Sequence, residues 1–174
     1  MTKNIQKTQV VIVDEKDRVL GLKEKFATHK NPVALHRAIS IVIFDKKGRK
    51  MLLQKRSKLK PTWPLYWSNT CCSHPYDGET YQKAAKRRLF EEMGIKTTLE
   101  EKFAYMYAFE FDETWGEHEL DHVFVGTYEG PVKPDLKEAA DWKWIDIKAL
   151  RRQVKKNPEK FTPWFKMILT KLKI

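Results

Sequence analysis

The period of the apolar positions changes several times along the chain, and each change marks an element. Residues 9–14 form a short apolar run that breaks at a polar stretch and resumes over 18–22, the pattern of a β-hairpin. Residues 38–45 are β-branched and continuously apolar, which predicts a strand buried on both faces; 46–49 make its turn and 50–55 the return strand. Residues 58–68, with Pro61, Trp63, Pro64 and Trp67, read as an irregular aromatic wall. Over 79–93, Tyr81, Ala85, Leu89 and Met93 recur at every fourth position, which predicts a helix that Gly94 ends. Strands are expected at 103–111, 120–128 and 139–145, with 112–119 between the first two, and helices at 147–156 and 163–172. Antiparallel hairpins mixed with helices predict an α+β layered fold, and no repeat or low-complexity segment divides the chain.

Length adds that the 174 residues form one domain, 1–174, with its core over about 9–170 and a polar, mobile start over 1–8. No run approaches the ~18 apolar residues of a membrane span. Cys71 and Cys72 are adjacent, poor geometry for an ordinary disulfide, so a reduced, cytoplasmic protein is expected. The net charge of +11 is uneven: residues 151–174 carry eight Lys or Arg against Glu159 alone. That tail suits an anionic partner, nucleic acid included, or a solvated lysine-rich helix face. No RNA-binding aromatic signature interleaves with it, so no nucleic acid is expected.

The helix at 79–93 breaks its own rules. Arg87 precedes Glu91 by four residues and Arg88 precedes Glu92 by four. Base before acid is the weaker order, and two carboxylates in the last turn meet the negative end of the helix dipole. A surface lattice of salt bridges is one reading; a site in which a cation satisfies the carboxylates and a phosphate the arginines fits better. Just ahead lies Cys71-Cys72-Ser73-His74, a dense group of reactive side chains. Glu117 and Glu119, two apart, share a face in any extended segment, whereas His118 and His122 fall on the other. Taken alone, His29 and His36 are ordinary loop or core histidines.

Aligned on Gly94, the chain resembles the Nudix motif G-x(5)-E-x(7)-R-E-U-x-E-E-x-G-U through Glu79, Arg87, Leu89, Glu91, Glu92, Gly94 and Ile95. Ser73 replaces its first glycine, and Arg88 replaces a glutamate of the metal set with which Nudix hydrolases activate water. Residues 68–75 (SNTCCSHP), with Gly78-Glu79 and Arg87-Arg88, are similar to the type 1 isopentenyl diphosphate isomerases, a Nudix-fold family. Lys25, His29, His36, Arg56, Lys60, Glu117, Glu119 and Pro163-Trp164 follow in that family's order, so the likeness spans about residues 9–169.

The resemblance implies Nudix-type mixed sheets packed between helices and interconversion of isopentenyl and dimethylallyl diphosphate. His29, His36, His74, Glu117 and Glu119 correspond to metal ligands; such nitrogen–oxygen ligation suits Mg²⁺, Mn²⁺ or Zn²⁺ without choosing among them. Glu92 corresponds to the ligand of a second, diphosphate-linked Mg²⁺. Cys72 matches the catalytic cysteine, tuned by nearby bases and metal, and Glu119 its acid–base counterpart. Tyr107 and Trp164 correspond to the pocket wall and hydrogen-bond partner. Lys25, Arg56, Lys60 and Arg88 correspond to a diphosphate clamp. The implied partner is a small isoprenoid diphosphate, and the implied state a monomer or weak homodimer. A Nudix hydrolase, which has no use for Cys72, and a basic nucleic-acid module are the rival readings.

Overall fold

A computed structural model describes residues 8–174. The mobility expected of residues 1–8 therefore concerns, for 1–7, residues outside that description. β1 (Gln9–Val13) and β2 (Val19–Glu24) form the expected hairpin. A single helical turn, α1 (Lys25–Thr28), follows; it is capped by Glu24, whose carboxylate accepts from the Ala27 N–H. Four residues are too few to leave a periodic signal in sequence.

β3 (His36–Phe44) is the spine of the molecule. It pairs with β1, β4 (Lys50–Arg56) and β6 (Cys71–Ser73) antiparallel, and with β8 (Gly116–Thr127) parallel. β5 (Trp67–Ser68) and β9 (Ala139–Asp146) pair with β4, and β7 (Glu100–Glu110) with β8, giving one branched nine-stranded mixed sheet.

Because side chains alternate along a strand, β3 serves two cores at once. Ile39, Ile41 and Ile43 point to one face, where Ala85, Leu89 and Met93 of α2 (Tyr81–Met93) cover them. Val42 points to the other, against Phe165 and Ile168 of α4 (Pro163–Lys171) and Leu150 of α3 (Ile147–Lys156). The sheet is thus packed between helices, as α+β layering requires.

Helix α2 is bounded as its sequence predicts. Thr80 accepts from the Lys83 N–H at its start, and Gly94, at φ 69°, turns the chain out at its end. A Cβ on Gly94 would lie 2.9 Å from that of Lys133. The following segment is stapled to the same helix end, with Lys133 N–H donating to Met93 O and Asp135 N–H to Glu92 O, both at 2.9 Å.

Two boundaries differ from the sequence reading in ways that matter. Cys71–Ser73 is a short strand on β3 and not part of a turn-rich loop, which sends Cys71 and Cys72 to opposite faces of the sheet. β8 begins at Gly116, so Glu117 and Glu119 lie in a central strand and not in a connection. Charged residues disguise a strand when their carboxylates are buried against partners.

Candidate active site

Five side chains converge where β3, β6 and β8 run side by side next to α1. His36 opens β3 directly opposite Glu119 of β8, His74 follows β6, and His29 ends α1. The three imidazole rings lie 4.8, 5.1 and 5.3 Å apart between centroids. One ligand atom from each, with one carboxylate oxygen of Glu119, falls within 4.8 Å of all the others. Nδ1 of His29 bonds Lys25 O at 2.7 Å and Nδ1 of His36 bonds Ala34 O at 2.8 Å. As donors to carbonyls they leave both Nε2 lone pairs aimed inward, the arrangement by which proteins orient imidazole ligands.

Glu117 stands beside this group: Oε2 lies 3.0 Å from His29 Nε2, and Oε1 accepts from Thr62 Oγ1 at 2.6 Å. His36 Nε2 and Glu117 Oε2 are buried and lack a hydrogen-bond partner among the described residues. Buried polar atoms left unpaired around one point are costly, and a shared divalent cation would satisfy them together. The donor set therefore fits a metal ion.

The electrostatics follow from burial. Desolvation and the neighbouring Lys25 push His74 well below its usual range, so it is a neutral ring. Burial works against the charge of Glu119, but the His36 imidazole 3.5 Å away and the hydrogen bond from Tyr107 outweigh it and hold the carboxyl down. The Tyr107 hydroxyl donates to Glu119 Oε2 at 2.5 Å.

A cavity of about 280 Å³ opens above this floor. Cys72, Tyr107, Glu119 and Trp164 line its inner part and Lys25, Arg56, Lys60 and Glu138 its mouth. Cys72 Sγ accepts from Trp164 Nε1 at 3.3 Å and donates to Asn69 Oδ1 at 3.0 Å. Burial, then the nearby Asp121 carboxyl, push the thiol up to about 12. The hydrogen bonds of Ser40 and Trp164 and the charge of Arg56 pull the other way, as the expected tuning by bases requires, but desolvation outweighs them.

The cationic residues divide. Arg88 lines an adjoining pocket with Lys25 and Glu138, and bonds Glu92 Oε1 at 2.6 Å and Glu138 Oε1 at 2.8 Å. Arg56 reaches the cavity, but its Nε and Nη2 bind the carbonyls of Thr62 and Trp63, and its guanidinium lies 5.0 Å from the Trp164 ring centroid. It holds the aromatic wall as well as facing the mouth. Glu92 is 1% exposed, and its Oε2 has no hydrogen-bond partner among the described residues. The salt-bridge lattice of α2 does form, Arg87 to Glu91 at 3.1 Å and Arg88 to Glu91 at 2.9 Å. Its purpose lies off the helix: Arg87 also grips Glu79 at 2.6 Å, and Glu79 accepts from the Tyr76 N–H. That brace fixes the turn after His74.

Residues 34–165 match the NUDIX domain. Isopentenyl-diphosphate Delta-isomerase 2 of Aromatoleum aromaticum is 43% identical over 164 residues, covering 94% of this chain and 86% of that one. The Isopentenyl-diphosphate Delta-isomerase of Burkholderia multivorans is 42% identical over 157 residues, 90% of this chain and 88% of that one. The chain belongs to the isopentenyl-diphosphate Delta-isomerase family. Solved structures share its fold at lower identity. One from Deinococcus radiodurans gives a TM-score of 0.66 at 14% identity, covering 85% of this chain and 89% of that one. The MutT protein from Methanosarcina mazei gives 0.63 at 19%, covering 79% and 91%.

In this member of the isomerase family, three residues of the site lie outside the sequence reading. Thr62 secures Glu117 from the aromatic wall. Glu138 joins Lys60 and Arg88 across the mouth. Asp121 continues the Glu117–Glu119 alternation beneath the floor; it is buried, both its oxygens lack hydrogen-bond partners among the described residues, and burial keeps its carboxyl well above the usual range. Only Asp121 was within reach of a sequence rule, since period two along β8 puts it on the ligand face. No helix is long and apolar enough to cross a membrane among the described residues.

Proposed function

We propose that the chain interconverts isopentenyl and dimethylallyl diphosphate. The observation that carries this reading is a closed pair of walls around one small cavity: a protonated thiol at Cys72, and an ionised Glu119 with the Tyr107 hydroxyl on it. Moving the double bond adds a proton to the terminal methylene carbon, leaving a tertiary cation, and removes one from the carbon on the diphosphate side. Each wall gives a proton in one direction of the reaction and takes one in the other. Trp164, with its indole N–H on Cys72 and its ring parallel to Tyr107 at 6.1 Å between centroids, presents π density beside the cation and helps exclude water.

His29, His36, His74, Glu117 and Glu119 would hold the divalent metal, Mn²⁺, Mg²⁺ or Zn²⁺; it would polarise the Glu119 carboxyl and fix its orientation. Lys25, Arg56, Lys60 and Arg88 bind the diphosphate, away from the reacting carbons. Glu92, with one buried oxygen free, is the protein ligand for the Mg²⁺ that accompanies it. The working unit is a single domain over about residues 9–170, cytoplasmic, acting as a monomer or weak homodimer. Arg88 stands against a hydrolase: bonded to Glu91, Glu92 and Glu138, it fills with positive charge a place where hydrolysis calls for a carboxylate.

The test is proton NMR of the protein with Mg²⁺ and isopentenyl diphosphate in D₂O. Dimethylallyl signals carrying deuterium, lost in Cys72→Ala, are the expected result; phosphate release without rearrangement would return the chain to the hydrolase reading.

A further inference from the structure

The mouth of the cavity holds an anion of its own. Glu138 pairs with Lys60 through one carboxylate oxygen and with Arg88 Nη2, at 2.8 Å, through the other. Its backbone is fixed on both sides: its carbonyl accepts from the Ser57 N–H and its N–H donates to Asp135 O, both at 2.9 Å. Asp135 is in turn stapled to the end of α2 beside Glu92. The carboxylate is therefore carried on a rigid platform, and its two partners come from different parts of the chain, Lys60 from the aromatic wall and Arg88 from the helix.

We propose that Glu138 is the resident counter-anion of the diphosphate clamp: it holds Lys60 and Arg88 together in the free enzyme and is displaced from them by the incoming diphosphate. This rests on the clamp reading given above. The charge count at the mouth supports it. Lys25, Arg56, Lys60 and Arg88 stand among three carboxylates, Glu91, Glu92 and Glu138, and of these only Glu138 spans both Lys60 and Arg88. Without an anion between them, Lys60 and Arg88, each bonded to one oxygen of the same carboxylate, would repel one another. Glu138 relieves that repulsion while the site is free. The same carboxylate must be displaced when phosphate oxygens arrive, which weakens binding and speeds release of a product carrying the same diphosphate.

The experiment is calorimetric titration of the metal-loaded protein with inorganic pyrophosphate, with and without free Mg²⁺, for wild type, Glu138→Gln, Glu138→Asp and Lys60→Met. Glu138→Gln keeps the shape and loses the charge; it is expected to bind pyrophosphate up to about fivefold tighter and to lower KM for isopentenyl diphosphate more than kcat changes. Glu138→Asp, which keeps the charge, stays near wild type. Unchanged or weaker binding in a Glu138→Gln protein that melts like wild type would overturn the proposal. Weakening confined to the presence of Mg²⁺ would instead make Glu138 a cation ligand, and also overturn it. Lys60→Met separates the two levels: if its pyrophosphate affinity equals that of wild type, the clamp reading fails and this inference with it.

Discussion

The two faces of β3 and its partner β6 can be compared residue by residue. Cys71 and Cys72 are neighbours in sequence, yet one is sealed with Ile39, Ile41 and Ile43 under α2 and the other opens on the cavity opposite Ser40. On the α2 face the centre is apolar and fully buried, and the polar residues of the two strands, Arg37 and Ser73, lie at its end. On the cavity face His36 and Ser40 alternate with Ala38 and Val42, and neighbouring β8 adds Glu117, Glu119 and Asp121. A strand buried on both sides lets one face supply the burial energy while the other carries polar groups that burial alone would expel. Desolvation acts on both sulfurs, raising Cys71 well above its ordinary value and Cys72 to about 12. Position, not ionisation, separates the cysteine on the cavity from the one sealed under α2.

The sharpest break of this comparison is Cys72→Ala against Cys71→Ala. Turnover is expected to fall by roughly 10²–10⁴-fold in the first, the size of a lost acid–base group, and to stay within a fewfold of wild type in the second. Steady-state kinetics on proteins with matched circular dichroism decides it; equal losses would mean the two faces are not functionally distinct.

Stability should show the reverse asymmetry. Ile41→Ala removes a fully buried side chain from the α2 face and should cost about 2–5 kcal/mol in urea unfolding while leaving kcat per folded molecule unchanged. Loss of activity beyond the folded fraction would contradict the division of labour.

Removing metal tests the cavity face. With the cation gone, the unpaired Nε2 of His36 and Oε2 of Glu117 stay buried. Chelation should abolish turnover and lower the melting temperature by several degrees, since a ligand at about 100 times its Kd stabilises by about 2.7 kcal/mol. Readdition of Mn²⁺, Mg²⁺ or Zn²⁺ singly, followed by thermal melts and activity, identifies the ion; a melt indifferent to chelation would leave the cluster without a metal role.

How far this arrangement could be read in advance depends on which interactions are local. The continuous apolar run of β3, the fourfold stripe of α2 and its stop at Gly94 are short-range patterns, and they appear as expected. So does the shared face of Glu117 and Glu119, which needs only strand geometry. β6 escaped because three residues carry no period, and α1 for the same reason. The start of β8 escaped because its buried acids look like a solvated connection. Glu138 and Thr62 escaped for a different cause: each acts through a partner more than 45 residues away, Arg88 for one and Glu117 for the other, and a pairing at that range leaves no spacing to detect. The protonated state of Cys72 is likewise a property of its surroundings, set by burial that no motif encodes.

The smallest effect lies at the seam where the two faces meet, in the Glu138 pairs with Lys60 and Arg88. Burial pushes the Glu138 carboxyl up, but the charges of Lys60 and then Arg88 outweigh it and bring it down to about 2. A carboxyl depressed on folding contributes stability that is fully present above its unfolded value, near 4.5, and is lost as pH falls through the folded value. The difference in unfolding free energy between wild type and Glu138→Gln should therefore be constant from pH 7 to about 5 and shrink between about 4.5 and 2. Pairs that still reach solvent, as these do, contribute about 1 kcal/mol, so the comparison needs urea curves at low salt, where screening is least. A difference that persists unchanged at pH 2 would show that the substitution acts through packing rather than charge, and would remove the electrostatic reason for keeping an acid at the mouth.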